Sequence, residues 1–199
     1  MLHLLDLFGT AVFAITGVLA AKNKRFDLFG CIVLGFVTAL GGGTFRDVIL
    51  GSTPVFWVND VGYILIVFLF SIITFWGAAF FVQLSKLLLI LDAFGLAVFT
   101  VIGLQKSISM GNSYLIAVLM GVITGVTGGI IRDLLTSQVP LILRREVYAT
   151  ASFCGAVAYI AVQQFVCNQT FEIILSMIIT FAIRLIALRF CLSLPLLKY

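Results

Sequence analysis

Long apolar runs separated by short polar segments dominate the pattern of this chain. A helix needs about 20 predominantly apolar residues to cross the hydrocarbon core of a bilayer, or 17–25 with tilt. Seven runs are of this kind. We therefore predict seven transmembrane helices, which cover residues 4–21, 28–50, 61–82, 87–104, 114–135, 147–166 and 171–191.

The composition indicates that lipid surrounds these helices. Hydrophobic residues make up 62% of the 199 residues and charged residues only 10%, whereas a soluble domain carries roughly 25% charged residues. The expected fold is an all-α membrane protein that forms a single membrane domain over residues 1–199. The net charge of +4 does not indicate nucleic-acid binding, because the charges lie between apolar runs and form no basic stripe.

The chain matches itself without a gap after a shift of 86 residues. Between residues 6–54 and 92–140, 14 of 49 positions are identical. The matches include polar residues and glycines, which two apolar helices do not readily share by chance. They are Asp6 and Asp92, Gly9 and Gly95, Gly17 and Gly103, Gly35 and Gly121, Thr38 and Thr124, Gly42-Gly43 and Gly128-Gly129, and Arg46-Asp47 and Arg132-Asp133, and a proline pair, Pro54 and Pro140, also matches.

Each copy of the repeat holds three predicted helices, with repeat one over about residues 4–83 and repeat two over about 87–167. Because three is odd, the second copy enters the membrane from the opposite face. This predicts an inverted-topology repeat, related by a two-fold axis in the membrane plane. The seventh helix, about 171–192, has no counterpart and is expected at the periphery.

Glycines lie inside the second helix of each repeat. The candidate pore and kink residues are Gly41, Gly42, Gly43, Gly128 and Gly129, together with Thr38 and Thr124. Small residues allow close helix packing, but each glycine also costs about 1 kcal/mol relative to alanine within a helix. Because an Arg-Asp pair follows each Gly-Gly pair, we favour a broken helix whose freed backbone groups line a cavity.

Six charged residues belong to the repeated motifs, namely Asp6, Arg46, Asp47, Asp92, Arg132 and Asp133. Charges within a span are expensive and usually face a bundle interior or water. Neighbouring residues on a helix point about 100° apart, so each Arg is not expected to pair with the Asp beside it. The predicted depths of these residues in the membrane instead pair Asp6 with Arg46 and Asp92 with Arg132, at the two mouths of one path. The other two carboxylates are then expected to face water or a permeant ion. The alternative is that all six charges anchor the chain at the membrane interfaces.

Lysine and arginine counts predict the orientation in the plasma membrane. With the N-terminus outside, eight of these residues fall in inside segments and only Lys106 falls outside. The eight are Lys22, Lys24, Arg25, Lys86, Arg144, Arg145, Arg189 and Lys198. The positive-inside rule then places the C-terminus in the cytoplasm. Arg184 has no counterpart in the repeat and is expected to extend its guanidinium to the cytoplasmic interface.

No metal, cofactor or catalytic site is predicted. The cysteines Cys31, Cys154, Cys167 and Cys191 form no C-x-x-C pair, and the single histidine, His3, is far from them in the sequence. We expect buried, inert thiols and a protein that is not an enzyme.

The doubled motif Gly-Gly-x-x-Arg-Asp, at residues 42–47 and 128–133 of a seven-helix chain, resembles the prokaryotic trimeric intracellular cation channel family. The same sequences are also grouped under a glycine transporter domain. The resemblance covers nearly the whole chain. It implies a homotrimer in which each protomer has its own pore, lined by the second and fifth helices, which are kinked at their glycines. It also implies passage of potassium and other monovalent cations.

The chain departs from the animal members of that family in two places. It lacks a charged C-terminal tail, and it lacks a lysine close after the second glycine motif. The resemblance therefore does not extend to their regulation by voltage or luminal calcium.

Two functions are compatible with these residues. In a cation channel, Asp47, Asp133 and carbonyls freed at the helix breaks would replace water around the ion. In a secondary transporter of glycine or another small zwitterion, a half-helix N-terminus and an arginine would hold the carboxylate. The residues alone do not separate these functions, and the preference for a channel comes from the resemblance.

Overall fold

The computed structural model describes residues 2–21, 24–77, 84–143, 147–166, 168–190 and 192, and the regular structure within these ranges is helical. Eight α-helices follow one another within these ranges. They are α1 (Leu2–Ala20), α2 (Leu28–Ile49), α3 (Phe56–Asn59), α4 (Val61–Gly77), α5 (Leu84–Ser109), α6 (Tyr114–Leu135), α7 (Ala149–Gln163) and α8 (Gln169–Phe190). A 3₁₀ turn at Leu141–Leu143 lies between α6 and α7.

The predicted helices correspond to α1, α2 and α4 to α8. Helix α6 has the predicted bounds, whereas α5 is longer at both ends than the predicted 87–104 and α7 is shorter than the predicted 147–166. The predicted end of the third helix, at residues 78–82, lies outside the described residues, as does residue 191. The sequence does not predict α3, because one turn of four residues carries no periodicity.

Local chemistry accounts for the bounds of α2. The Asp27 carboxylate accepts a hydrogen bond of 2.7 Å from the Gly30 N–H, which caps the first turn. Beyond the last turn, Gly51 has a φ of +65°, a left-handed conformation that glycine adopts without steric cost.

Helix length and surface composition indicate a membrane protein. Among the described residues, five helices, α1, α2, α5, α6 and α8, are long and apolar enough to cross a bilayer, and α4 and α7 are shorter apolar helices. Large apolar side chains such as Phe29, Leu65 and Phe190 are more than half exposed, which suits contact with lipid tails. The chain is therefore an all-helical, multi-pass membrane protein.

The centre of the fold consists of α1, α2, α5 and α6, which pack against one another. Helix α4 packs on α1 and α2, and α8 packs on α5 and α7. Contacts at the centre are reciprocal between equivalent positions of the repeat. Phe13 and Phe99 pack against each other in a tilted arrangement with ring centroids 4.9 Å apart, while Gly9 lies against Phe99 and Gly95 lies against Phe13.

Candidate functional site

Helices α2 and α6 cross at the small residues of the repeated motif. A Cβ on Gly42 would collide with the carbonyl oxygen of Thr124, and a Cβ on Gly128 would collide with that of Thr38. The two contacts are equivalent under the repeat. Residue 38 of α2 meets residue 128 of α6, and residue 42 meets residue 124. The residue numbers therefore rise along one helix while they fall along the other, so the helices are antiparallel where they touch. Glycine at these positions lets the two backbones come into direct contact.

Both helices run as continuous α-helix through their glycines. The predicted break with freed backbone groups is therefore wrong, because the glycines are used for close packing and the i→i−4 ladder stays intact. A bend within each continuous helix remains a prediction. The hydroxyls of Thr38 and Thr124 each donate a hydrogen bond of 2.6 Å to the carbonyl four residues earlier, an interaction that often bends helices.

The other predicted glycines have different neighbours. A Cβ on Gly41 would press on the Ile131 side chain, and one on Gly43 would press on the Phe56 ring. Gly129 faces a polar group instead, because the nearest atom to a Cβ there would be the Tyr148 hydroxyl oxygen at 3.1 Å. Gly129 therefore belongs to the charged cluster described next.

Arg132 is fully buried between two carboxylates. Its Nη1 donates to Asp92 Oδ1 at 2.6 Å and its Nε donates to Asp133 Oδ1 at 2.9 Å. Nη1 also lies 3.3 Å from the hydroxyl oxygen of Thr16 in α1. The predicted Asp92–Arg132 pair is confirmed. We define the Arg132 cluster as Asp92, Arg132, Asp133 and Tyr148.

Arg46, the equivalent residue, has a different set of partners. Its Nε and Nη2 both lie 2.8 Å from Asp47 Oδ1, and its guanidinium carbon lies 5.5 Å from the centre of the Phe56 ring. Asp6 instead accepts a hydrogen bond of 2.9 Å from the Tyr63 hydroxyl. We define the Arg46 cluster as Asp6, Arg46, Asp47 and Tyr63.

The predicted Asp6–Arg46 pair is wrong, since no ion pair joins the two within the described ranges. The Asp6 carboxylate accepts a hydrogen bond from Tyr63 instead, and Arg46 pairs with the carboxylate of the adjacent residue. The expectation that each Arg would not pair with the Asp beside it is also wrong. A long arginine side chain can fold back along the helix end, so the 100° offset of the Cβ atoms does not prevent the contact.

Asp47 and Asp133 are buried and use their second oxygens on the loops that follow. Asp47 Oδ2 accepts the Phe56 N–H at 2.9 Å, and Asp133 Oδ2 accepts the Leu141 N–H at 2.9 Å. The expectation that these carboxylates face water or a permeant ion is therefore wrong for this structure. Each one joins an arginine to the loop after its helix and fixes the geometry of its cluster.

A cavity of about 360 Å³ opens beside the Arg46 cluster. Its polar lining residues, apart from His3, are Asp6, Arg46, Tyr63, Gln105, Lys106, Ser109 and Gln169. His3 also lines it and lies 3.5 Å from the carboxylate of Asp60, with both side chains partly exposed. The side chains of Asp92 and Arg132, in contrast, have no exposed surface.

Tyr63 and Tyr148 belong to the clusters but were not among the predicted site residues. After Pro54 and Pro140 the repeat continues with a shift of 85 instead of 86, so Phe56 matches Leu141 and Tyr63 matches Tyr148. The hydrogen bonds from Asp47 and Asp133 to the two loops support this register. An ungapped comparison misses it, and a one-residue gap after the prolines would have found both tyrosines.

Arg184 lies in the protein interior. It has no exposed surface, its guanidinium carbon lies 4.6 Å from the centre of the Tyr148 ring, and its Nη1 donates to the Val147 carbonyl at 3.2 Å. The expected extension to the membrane interface is therefore wrong. The aromatic face and the carbonyl provide a buried alternative to water and headgroups.

The cysteines differ from one another. Cys31 is buried, as expected, but Cys154 is exposed, because its position on α7 faces away from the helices that pack there. Cys167 and Cys191 lie outside the described residues. Among the residues that the structure describes, no three His, Cys, Asp or Glu side chains group as metal ligands would.

Comparison with known proteins covers nearly the whole chain. The family model described as "Glycine transporter" matches residues 3–79 and again residues 89–164, so it matches once in each repeat. The UPF0126 inner membrane protein YadS of Escherichia coli K12 is 47% identical over 198 residues, which is 98% of this chain and 95% of that protein. A UPF0126 membrane protein of Vibrio cholerae is 44% identical over 98% of this chain and 82% of its own length.

Solved structures give the same result. The trimeric intracellular cation channel orthologue from Rhodobacter sphaeroides is 41% identical, with a TM-score of 0.93 over 96% of this chain and 98% of that one. A prokaryotic channel of the same kind, determined in 0.5 M KCl, is 29% identical with a TM-score of 0.90 over 97% of this chain and 98% of that one. These descriptions name membrane proteins and channels, not enzymes. The chain therefore belongs to the glycine transporter domain family of UPF0126 membrane proteins and has the fold of the prokaryotic trimeric intracellular cation channels.

Proposed function

We propose that this protein is a cation channel of the inner membrane, permeable to potassium and other monovalent cations. The observation that carries the proposal is the match in sequence and fold, over nearly the whole length of both chains, with a solved trimeric intracellular cation channel. By the same likeness the working unit is a homotrimer with one path in each protomer.

The proposed path lies among α1, α2, α5 and α6, and passes from the cavity at the Arg46 cluster to the Arg132 cluster. Asp6 and Thr16 of α1 belong to opposite ends of it, since Thr16 contacts Arg132 and Asp6 borders the cavity. Ten residues of α-helix separate them by about 15 Å. Thr38 and Thr124, with the neighbouring glycines, lie at the crossing between the two ends.

The charge balance of the clusters supports a cation as the permeant ion. Arg132 is countered by two carboxylates, Asp92 and Asp133, and Arg46 is countered by Asp47 and has Asp6 nearby. Counted by formal charge, each cluster therefore sums to one net negative charge. Lys106 and Asp60, which add one charge of each sign at the cavity end, leave this balance unchanged.

For the membrane topology we propose seven spans, with α4 and α7 crossing despite their shorter length. The doubled family match and the reciprocal, antiparallel contact of α2 and α6 support two repeats of opposite orientation. The lysine and arginine counts support an external N-terminus and a cytoplasmic C-terminus. Lys22, Arg144, Arg145 and Lys198, which contribute to that count, lie outside the described residues. A reporter fused to the C-terminus that is active only in the cytoplasm tests the orientation.

The function is tested by planar-bilayer recording of the purified protein in asymmetric KCl. We expect discrete unitary currents that reverse near the potassium equilibrium potential. Proteoliposomes loaded for radiolabelled glycine uptake serve as the parallel measurement. Saturable glycine uptake without unitary currents would support the transporter and contradict the channel.

A further inference from the structure

Gln105 and Asp6 both line the cavity and lie at the same depth in the fold. Helices α1 and α5 cross in antiparallel directions at Phe13 and Phe99, since residue 9 meets residue 99 and residue 13 meets residue 95. Asp6 is seven residues before Phe13, or about 10.5 Å along α1. Gln105 is six residues after Phe99, or about 9 Å along α5 in the same direction. The cavity therefore has a carboxylate from α1 and an amide from α5 at one level.

Hydrogen bonds fix the orientation of the Gln105 amide. Its Nε2 donates to the Tyr159 hydroxyl oxygen at 2.7 Å, and the same hydroxyl interacts with the Glu172 carboxylate. Because an ionised carboxylate only accepts hydrogen bonds, the Tyr159 hydroxyl directs its proton to Glu172 and accepts from Gln105 with its oxygen. All three side chains are buried. We define them as the Gln105 triad.

The triad leaves the oxygen of the amide without a partner. Gln105 Oε1 is buried and makes no hydrogen bond within the part of the chain that the structure describes. A buried acceptor without a donor is unfavourable, and a bound ion is one explanation for such an atom. Since Gln105 lines the cavity and Tyr159 holds its nitrogen, the oxygen is the amide atom that a ligand in the cavity can use.

We propose that Gln105 Oε1 and the Asp6 carboxylate bind the permeant monovalent cation in the cavity, and that Gln105 determines which cations enter there. Asp6 Oδ2 accepts the Tyr63 hydroxyl, and its other oxygen serves the ion. One carboxylate oxygen and one amide oxygen replace two waters of the ion, as the oxygens of a selectivity filter do. Tyr159 and Glu172 are positioning residues, because they keep the amide oxygen available. This inference rests on the proposed function and names a selectivity residue for it.

Two basic residues beside the site keep its affinity for cations moderate. Arg46 is held by Asp47, with its Nε and Nη2 both 2.8 Å from one carboxylate oxygen, so its charge is already countered. Lys106 also lines the cavity and follows Gln105 on α5. Its ammonium group repels a bound cation and shortens the time that the cation stays. Conduction requires this balance, because an ion must enter the site and also leave it.

The second repeat and α8 supply this site to only one end of the path. The shift of 86 residues places Gln105 over Leu19, a buried apolar residue. The shift of 85 residues beyond the prolines places Tyr159 over Thr74. Glu172 belongs to α8, which lies outside the repeat. The positions equivalent to the Gln105 triad therefore provide no such oxygen at the end where Asp92 lies.

Planar-bilayer recording over a range of KCl concentrations tests the site, because a weaker site raises the concentration at which the unitary conductance is half-maximal. Gln105→Leu removes the oxygen and copies Leu19 of the other repeat, so we expect that concentration to rise about fivefold. The K⁺/Na⁺ permeability ratio from bi-ionic reversal potentials should change as well. Gln163→Leu is the matched control. Gln163 also has a buried amide oxygen without a partner but does not line this cavity, so this variant should conduct like the wild type.

A double-mutant cycle within the triad separates amide orientation from charge. The amide that Glu172→Gln introduces can donate to the Tyr159 hydroxyl, which then donates to Gln105 and turns the Gln105 nitrogen toward the cavity. We expect this variant to weaken the site at least as much as Gln105→Leu. Tyr159→Phe only frees the amide, so its effect should be smaller, and adding it to Glu172→Gln should restore part of the affinity. An unchanged loss in the double variant would show an effect of charge alone and overturn the positioning role.

Crystals soaked in RbCl give a readout that is independent of current. We expect anomalous density from rubidium between the side-chain oxygens of Asp6 and Gln105 in the wild type, and no such density in Gln105→Leu. If the wild type passes no current, the proposed function fails. If the wild type conducts, either an unchanged half-maximal concentration in Gln105→Leu or the absence of rubidium from this position overturns the inference, while the channel itself stands.

Discussion

The Arg46 and Arg132 clusters are built from equivalent residues, yet they differ in the number of carboxylates that hold the arginine. Arg132 has two, Asp92 and Asp133, and is fully enclosed. Arg46 has one, Asp47, and borders a cavity. The two repeats therefore supply equivalent residues to each cluster, but the contacts among those residues differ.

The largest expected effect comes from removing the aspartate next to each arginine. Asp47→Ala leaves Arg46, which is 3% exposed, without an ion-pair partner, and loss of one partner of a buried pair typically costs about 3–5 kcal/mol. Asp133→Ala leaves Arg132 paired with Asp92, so its cost should be clearly smaller. Denaturant unfolding of both variants in the same detergent measures the order. Equal losses, or a larger loss for Asp133→Ala, would mean that Asp6 already holds Arg46 in solution.

For Asp6 and Asp92, the aspartates of the first helix in each repeat, we expect the larger loss of stability in the second repeat. Asp92→Asn removes a charge that bonds Arg132 at 2.6 Å in a fully buried site, which should destabilise the protein by about 2–3 kcal/mol. Asp6→Asn keeps an oxygen that accepts the Tyr63 hydroxyl and borders the cavity, so the loss should be below about 1 kcal/mol. The same unfolding assay compares them. Asp6→Asn as costly as Asp92→Asn would contradict the assignment of different partners.

The crossing of α2 and α6 should behave symmetrically, unlike the clusters. Gly42→Ala and Gly128→Ala each force a Cβ against a backbone carbonyl of the other helix, and overpacking of this kind costs about 1–3 kcal/mol. We expect the two variants to lose similar stability. Gly77→Ala is the control, because nothing lies within 4 Å of a Cβ there, and it should be neutral or stabilising. Strongly unequal losses for the two crossing variants would show that the contact is not reciprocal.

The smallest effect is expected at the rim of the cavity. His3 and Asp60 are 60% and 40% exposed and 3.5 Å apart, and exposed pairs contribute 0–1 kcal/mol at most. His3→Gln should therefore change thermal stability by less than the error of a typical melting experiment. A clear loss would indicate that the rim is a rigid part of the Arg46 cluster.

The sequence predicted the helices well, because span length and apolar runs are local properties. Helix α6 has its predicted bounds, and the Asp92–Arg132 pair followed from the cost of an isolated charge at that depth. The same reasoning failed for Asp6 and Arg46. The depth of a residue in the membrane indicates which charged groups can meet, but it does not determine which of several neighbours a long side chain contacts. The competing Tyr63 lies beyond the gap-free part of the repeat, so nothing in the alignment pointed to it.

The glycine break failed for a related reason. In the sequence, Gly42 and Gly43 are equally compatible with a broken helix and with close packing. Which of the two forms depends on the residue that the glycine packs against. For Gly42 that residue is Thr124 in the other repeat, 82 positions away, so the local sequence does not show it. The same holds for Arg184 in α8, since its buried aromatic partner, Tyr148, lies at the start of α7 and is distant in the sequence.

The reciprocal contact at the crossing has a consequence for how such a chain could have arisen. Gly42 meets Thr124 and Gly128 meets Thr38, so each half supplies both sides of the same contact. A single three-helix unit carries the glycine and the threonine together and could therefore make this contact twice with an oppositely inserted copy of itself. Gene fusion would then have preserved an existing antiparallel dimer instead of creating a new interface. Residues 1–83 and 84–199, produced as separate polypeptides, should accordingly reassemble when they are expressed in the same cell.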